Sequence, residues 1–181
     1  MIEEYEESVS SNFKGTIIDI ETVGEFNRLF KYDSRQYKDM TQVIFGYINQ
    51  EHLHIYCAKD SSGIEQLREI TVKVITILEK PLYEFNCDFE SGVWFHHIGI
   101  NILFDGELNR EKYERKKDAV QLLRIPNYDA PFFDNGFMCI KAWNNKEFDK
   151  AIAHNRSCLL KERDILLRRG YRKPDGLEFI I

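Results

Sequence analysis

Hydrophobic runs in the first third of the chain predict β-strands. Residues 15–20, GTIIDI, are rich in β-branched side chains and interrupted by few polar positions, as expected of a central strand. Residues 42–59, QVIFGYINQEHLHIYCAK, predict two strands around a short turn at residues 49–51. The acidic residues 1–12 precede these strands, and we expect them to form a flexible lead-in.

Apolar residues at helical spacing predict helices further along the chain. Residues 64–80 carry such a stripe and predict an amphipathic helix with Ser61 or Ser62 as its N-cap, and Pro81 ends it. Basic residues followed by Gly170 are typical of a helix terminus near the end of the chain. Three further helices are predicted, one beginning near Glu90, one over residues 109–123 and one over residues 145–170.

The remaining segments complete an α/β pattern. Residues 82–86, LYEFN, predict a short strand, and residues 100–105, INILFD, predict another. Residues 25–40 and 125–136 are polar or rich in turn-forming residues and predict loops. The order of elements predicts one α/β domain over residues 1–181, in which helices flank a mixed sheet of about five strands. Its first three strands would form an antiparallel meander.

The composition is that of a globular chain without a strong overall attraction to nucleic acid. Its 181 residues suit one domain, 43% are hydrophobic and 30% are charged, and the formal net charge is -5. Binding of a polyanion must therefore depend on local basic patches. The amino end lacks a signal-peptide pattern and no apolar run reaches about 20 residues, so we expect a cytoplasmic protein that does not enter a membrane. The cysteines are scattered without a CxxC pair, so no zinc or disulfide framework is predicted: Cys57, Cys87, Cys139 and Cys158.

Two carboxylates interrupt the first predicted strand. In TIIDIETVG, Asp19 and Glu21 are two residues apart and therefore point to the same face of a strand. Burying two ionised carboxylates together is unfavourable unless a positive charge lies between them. A divalent cation would supply that charge. The alternative is that the strand has already ended and both side chains are solvated in a turn.

Two later segments carry further candidate ligands. In LYEFNCDFESGVW, Asp88 and Glu90 follow the end of a predicted strand. In the last predicted helix, His154, Cys158 and Glu162 are spaced at i, i+4 and i+8 and therefore lie on one side. These residues join Asp19 and Glu21 as candidate site residues.

Together the three segments resemble the ribonuclease-H-like superfamily of DEDD (DnaQ-like) 3′–5′ exonucleases, and are most similar to the predicted prokaryotic YprB-type RNase H-like exonucleases. The resemblance covers most of residues 14–170. In the second motif Glu90 stands in place of the family's aspartate, and in the third Cys158 stands where the metal-binding aspartate belongs. The matching motifs are Asp19-Ile20-Glu21, Asn86-Cys87-Asp88-Phe89-Glu90 and His154-Asn155-Arg156-Ser157-Cys158.

The resemblance implies a nuclease that hydrolyses phosphodiester bonds with two Mg²⁺ or Mn²⁺ ions. Asp19 would bridge the metals, and Glu21 would hold one of them and orient the attacking water. Glu90 would hold the second metal, with Asp88 as the alternative. His154 would orient or deprotonate the nucleophile.

Cys158 departs from this pattern, because a thiol is a soft ligand that suits Mg²⁺ poorly. Three explanations remain open. Glu162, one turn further along the helix, could replace the missing carboxylate, or Mn²⁺ could be preferred. The third is a catalytically inactive ribonuclease-H-like module that binds nucleic acid or a protein partner.

Basic stretches at residues 109–118 and 163–173 could follow a nucleic-acid backbone, or they could be solvated helix faces. The expected partner is single-stranded DNA or RNA, and the chain could act beside a helicase or another nucleic-acid enzyme. Asn86 could instead close the turn between its strand and helix. The predicted nucleic-acid contacts are Asn86, Asn155, Arg156, Arg163, Arg168 and Arg169.

Overall fold

A mixed six-stranded β-sheet organises the chain, and the computed structural model describes residues 1–181. The strands are β1 Ile2–Ser8, β2 Thr16–Gly24, β3 Met40–Ile48, β4 His52–Ala58, β5 Leu82–Glu84 and β6 Gly106–Glu107. Their order across the sheet is β1-β4-β3-β2-β5-β6. The β2–β5 and β5–β6 pairs are parallel, and the other neighbours are antiparallel. The α/β class and the antiparallel meander of β2, β3 and β4 are confirmed, whereas the sheet has six strands and not five.

The extra strand lies in the acidic amino-terminal segment. Residues 1–12 were expected to be a flexible lead-in, but residues 2–8 form β1 and pair with β4 from Ile2 opposite Ala58 to Ser8 opposite His52. β1 is an edge strand, and its acidic side chains suit that position because charge discourages pairing with another chain. The strand was not predicted because residues 2–8 are rich in acidic side chains, whereas the prediction relied on runs of apolar residues.

Five α-helices flank the sheet: α1 Ser61–Ile75, α2 Cys87–His97, α3 Lys116–Leu122, α4 Gly136–Asn144 and α5 Phe148–Arg169. The N-cap of α1 is Asp60 and not Ser61 or Ser62, because its carboxylate accepts the Gly63 N–H at 2.7 Å. No helix in the chain combines the length and the apolar character that a membrane crossing requires.

Several predicted boundaries were wrong. Residues 100–105 do not form a strand. The strand that pairs with the three-residue β5 is β6, at residues 106–107. The charged run 109–123 is helical only from residue 116, and α4 was not predicted at all. The helix predicted over residues 145–170 is confirmed as α5.

Alternation along β2 decides which residues meet which helices. Ile17 belongs to a core that includes residues of α4 and α5, whereas Ile18 and Ile20 belong to a second core with Trp94 of α2. Because side chains alternate along a strand, Asp19 lies on the face of Ile17. The carboxylate therefore faces α5, which packs against β2.

Candidate active site

A cavity of 1080 Å³ opens beside β2, where β5, α2, α3, α4 and α5 converge. A register irregularity lies between Glu21 and Thr22 of β2, at the same end of the strand. Glycine and aromatic residues form part of the cavity wall. Buried or half-buried acidic side chains from several elements also line it: Asp19, Glu21, Glu84, Glu90 and Asp134.

Asp19 is held by two side chains that are distant in sequence. Lys116 Nζ donates to Oδ1 at 2.7 Å, and Asn155 Nδ2 donates to Oδ2 at 2.6 Å and to the Asp19 carbonyl at 3.2 Å. Asn155 is completely buried, so it positions Asp19 and is not the nucleic-acid contact that was predicted. Gly46 makes room for it, since a Cβ there would lie 2.1 Å from Asn155 Oδ1.

Glu21 faces a group of nitrogen and sulfur atoms. His154 Nε2 lies 3.5 Å from Glu21 Oε1 and 3.7 Å from Cys158 Sγ. The ligand atoms of Glu21, Cys139 and His154 lie within 4.8 Å of one another, and so do those of Asp19, Glu21 and Cys158. Cys139 comes from the unpredicted helix α4, so no sequence pattern connected it to this group.

Burial changes the protonation of this group. Burial, followed by the charge of Asp19, raises the pKa of Glu21 to about 8. Burial lowers the pKa of His154 to about 4, so its imidazole is neutral at pH 7. Burial also raises the pKa of the Cys139 and Cys158 thiols above their ordinary value.

Lys116 is the main cation at this site, and sequence analysis missed it. Its ammonium contacts Asp19 and also forms an ion pair with the fully buried Glu162. Glu162 is therefore engaged by Lys116 and does not line the cavity. Lys116 lies in the charged run 109–123, where nothing in the local pattern distinguishes it from the lysine that follows it.

The cavity is also lined by a pair of carboxyl groups, Glu84 and Glu90. Both residues are buried, and the Oε2 atom of each has no hydrogen-bond partner. Burial and the neighbouring charge of Glu90 raise the pKa of Glu84 well above its usual value, and burial raises the pKa of Glu90 likewise. The sequence predicted Glu84 to lie in a strand but did not connect it with the site. Glu84 reaches the site because its strand, β5, pairs with β2.

The second motif divides between two surfaces. Asp88, the alternative to Glu90, forms an ion pair with Lys112 at 3.0 Å and lines a smaller groove instead. Asn86 is the N-cap of α2 but makes no capping hydrogen bond with its side chain, and it lines both the cavity and the groove. Glu90, and not Asp88, therefore belongs with Asp19.

The predicted arginine contacts lie outside the cavity. Arg156 pairs with Glu7 of β1, and Arg163 pairs with Asp164 at 2.9 Å. Arg169 pairs with Glu114, and Arg168 donates to the carbonyl of residue 123. Arg163 Nη2 also donates to the hydroxyl of Tyr128 at 3.1 Å, so all four arginines attach α5 to other parts of the chain.

Aromatic side chains stand at the rim. Phe26 and Phe137 both line the cavity, and their exposed fractions are 50% and 61%. Phe26 packs against Phe89 and Tyr37 at ring distances of 6.1 and 5.9 Å. Such exposed rings can stack on a planar ligand group.

The cavity combines hard oxygen ligands, a neutral histidine and the thiol of Cys158, and the buried thiol of Cys139 lies close to Glu21 and His154. Comparison with known proteins adds no assignment, because no family model, curated protein or solved structure matches the chain. The chemistry must therefore be inferred from the residues themselves. Asp19, Glu21, Glu84 and Glu90 could hold divalent cations, and His154 could accept a proton.

Proposed function

We propose that this protein is a metal-dependent nuclease with a ribonuclease-H-like fold, acting as a 3′–5′ exonuclease on single-stranded DNA or RNA. The fold is compatible with this, since an antiparallel meander is followed by two parallel strands in the order β4-β3-β2-β5-β6. The observation that carries the proposal is the convergence of Asp19 and Glu21 with Glu90 in one cavity.

The charge of the site supports a role for cations. Five buried or nearly buried carboxyl groups surround the single ammonium of Lys116: Asp19, Glu21, Glu84, Glu90 and Glu162. The carboxyl groups of Glu84 and Glu90 lie within hydrogen-bond reach of each other and can share a proton, and the Oε2 atom of each has no other partner, although buried polar atoms are normally satisfied. Oxygen-rich sites of this kind suit Mg²⁺ and Mn²⁺, so the residues present fit the proposed ions.

Each residue then has a stated role. Asp19 and Glu21 would hold one ion, and Glu90 with Glu84 would hold the other. When bound, the ions supply the positive charge that stabilises the phosphoryl oxygens and lower the pKa of a water molecule. His154 is neutral at pH 7 and accepts a proton from the attacking water at Nε2, beside Glu21.

The rim supports single-stranded nucleic acid as the substrate. Phe26 and Phe137 are exposed on the cavity wall, and Arg28 lines it as well. Bases that are not paired can stack on aromatic rings, and arginine can contact the phosphate backbone. A helicase or another nucleic-acid enzyme that exposes single-stranded ends would be a suitable partner.

A specific observation favours the alternative, an inactive ribonuclease-H-like module that binds nucleic acid or a protein. Lys116 already neutralises Asp19 and Glu162 without a metal. Cys158 also removes a carboxylate that the resembling family uses. A site with its own internal cation has less need of an added one.

The test is degradation of a 3′-labelled single strand, first of DNA and then of RNA, in Mg²⁺ and separately in Mn²⁺. We expect label release that disappears in Asp19→Asn. Asp88→Asn is the matched control, because Asp88 pairs with Lys112 outside the cavity, and it should keep the activity. No release in either metal on either strand would contradict the nuclease, and Cys158→Asp would then show whether a carboxylate restores cleavage.

A further inference from the structure

The imidazole of His154 and the thiols of Cys139 and Cys158 lie close to the carboxylate of Glu21. Cys139 comes from α4, and His154 and Cys158 come from successive turns of α5. Cys139, His154 and Cys158 are all buried. The scattered cysteines of the sequence thus include two that the fold brings to one histidine and one carboxylate.

The separations are those of ligands around a small ion. His154 Nε2 lies 3.5 Å from Glu21 Oε1, and it shares a long hydrogen bond of 3.7 Å with Cys158 Sγ. Ligands about 2.0–2.3 Å from a tetrahedral Zn²⁺ are separated from one another by roughly 3.3–3.8 Å. The other ring nitrogen, His154 Nδ1, is buried without a partner, so no strong hydrogen bond fixes the imidazole in its present place.

The donor types select the ion. Thiolate, imidazole and carboxylate together are the usual ligand set of Zn²⁺, whereas Mg²⁺ prefers oxygen alone. Two ligands one turn apart on a helix, such as His154 and Cys158, share a face and can hold one ion. We propose that Glu21, Cys139 and His154, whose ligand atoms lie within 4.8 Å of one another, bind a single Zn²⁺ ion, and that Cys158, 3.7 Å from His154 Nε2, is the fourth ligand.

This site goes beyond the proposed nuclease and does not depend on it. It also accounts for the cysteine at position 158, which is a poor ligand for Mg²⁺ and a good one for Zn²⁺. Glu21 and His154 belong to both sites, so one consequence does rest on the proposed function. Zn²⁺ would compete with Mg²⁺ or Mn²⁺ for Glu21, occupy His154 Nε2 and inhibit cleavage.

The test uses the full reduced chain, freed of metal with a chelator and titrated with Co²⁺, which replaces Zn²⁺ and absorbs light. Thiolate bound to Co²⁺ produces an intense near-ultraviolet charge-transfer band. We expect this band to saturate at one ion per chain and to disappear when Zn²⁺ is added. If the wild-type chain shows no such band, or if it binds Co²⁺ without the band, the proposed zinc site is wrong. This result would not depend on any variant.

Variants then assign the sulfur ligands. Cys139→Ser and Cys158→Ser should each weaken the charge-transfer band, and the double variant should abolish it. Cys57→Ser is the matched control, because Cys57 is a buried cysteine on β4 that is not among the site ligands. A band that survives both serine substitutions would contradict the assignment.

The zinc site and the nuclease can fail separately. Cleavage in Mn²⁺ that depends on Asp19, together with no cobalt–thiolate band, would retain the nuclease and remove the zinc site. The band without cleavage would retain the zinc site and remove the nuclease. Thermal unfolding adds a second measure, since Zn²⁺ should raise the melting temperature of the wild type and not of the double cysteine variant.

Discussion

Lys116 Nζ lies 2.7 Å from Asp19 Oδ1, although 97 residues separate them in the chain. The same ammonium pairs with Glu162 of α5, so Lys116 joins the central strand to the longest helix. Burial by itself would lower the pKa of Lys116, but the charges of Asp19, Cys158 and Glu162 and the hydrogen bond to Asp19 together outweigh burial and raise the pKa well above its ordinary value. Lys116 is therefore charged, and it stabilises the acidic site when no metal is bound.

Lys116→Met should destabilise the metal-free protein by about 3 kcal/mol, because breaking a buried ion pair leaves an uncompensated charge. Urea unfolding in the presence of a chelator would measure it. Mn²⁺ should restore part of the loss by replacing the missing positive charge. Lys117→Met is the matched control, since Lys117 is exposed, and it should change stability little. Equal stability of the two variants would refute the role of Lys116.

Stability of the metal-free protein should fall as the pH rises from 6.5 to 8. Glu21 has its pKa raised from 4.5 to about 8, so the folded state keeps a proton that the unfolded chain releases, and stability is lost through this range. His154 acts oppositely but only below pH 6.5, since its pKa is lowered from 6.5 to about 4. One such proton contributes up to about 1.4 kcal/mol per pH unit.

Urea unfolding at several pH values, again with a chelator, would measure this slope. Glu21→Gln should make the slope shallower, because the amide does not titrate, while Glu84 and Glu90, whose pKa values are also raised, keep part of it. Glu25→Gln, a change at an exposed neighbour, should leave the slope as it is. A wild-type stability that rises between pH 6.5 and 8 would contradict the protonation assigned to Glu21.

Gly46→Ala should destabilise the protein by about 1–3 kcal/mol through overpacking. The new methyl group would lie 2.1 Å from Asn155 Oδ1 and 2.9 Å from Leu159 Cδ1. Asn155→Ala removes the first of these contacts, so the double variant should lose less stability than the sum of the single variants. Gly136→Ala is the control, because a Cβ there meets nothing within 4 Å. Simple additivity would show that the two residues do not compete for space.

Phe137→Ala should weaken binding of single-stranded nucleic acid by about 1–3 kcal/mol, the usual value of one base stacked on an aromatic ring. Fluorescence anisotropy with a labelled oligonucleotide and Asp19→Asn protein would measure binding without cleavage. Stability should hardly change, since 61% of Phe137 is exposed. Ile77→Ala, at an exposed apolar residue away from the cavity, should bind like the parent. Unchanged binding by Phe137→Ala would remove the ring from the substrate path.

Local spacing predicted much of the sheet and part of the site. Alternation along β2 placed Asp19 and Glu21 on one face, and helical periodicity placed His154 and Cys158 on one side of α5. These relationships depend on residues within two turns or a few positions of one another. The geometry of a strand or helix therefore decides them before any tertiary contact forms.

Elements that depend on their neighbours were predicted poorly. β1 has an acidic composition and exists because β4 offers it a free edge, and β6 is only two residues long beside β5. Asn155 and Arg156 belong to the third motif and were predicted to contact nucleic acid, but burial and ion pairing give them structural roles. The spacing of residues within a helix does not predict which of its sides another segment will cover.

Local patterns along the chain were sufficient to predict the α/β class, the antiparallel meander and the shared face of Asp19 and Glu21. They could not predict that Lys116 neutralises the site, that Glu84 lies beside Glu90 or that Cys139 lies near His154. These three contacts form because strand order and helix packing bring together residues that are far apart in the chain. Such contacts follow from burial of the whole core, whereas spacing within one element follows from backbone geometry alone.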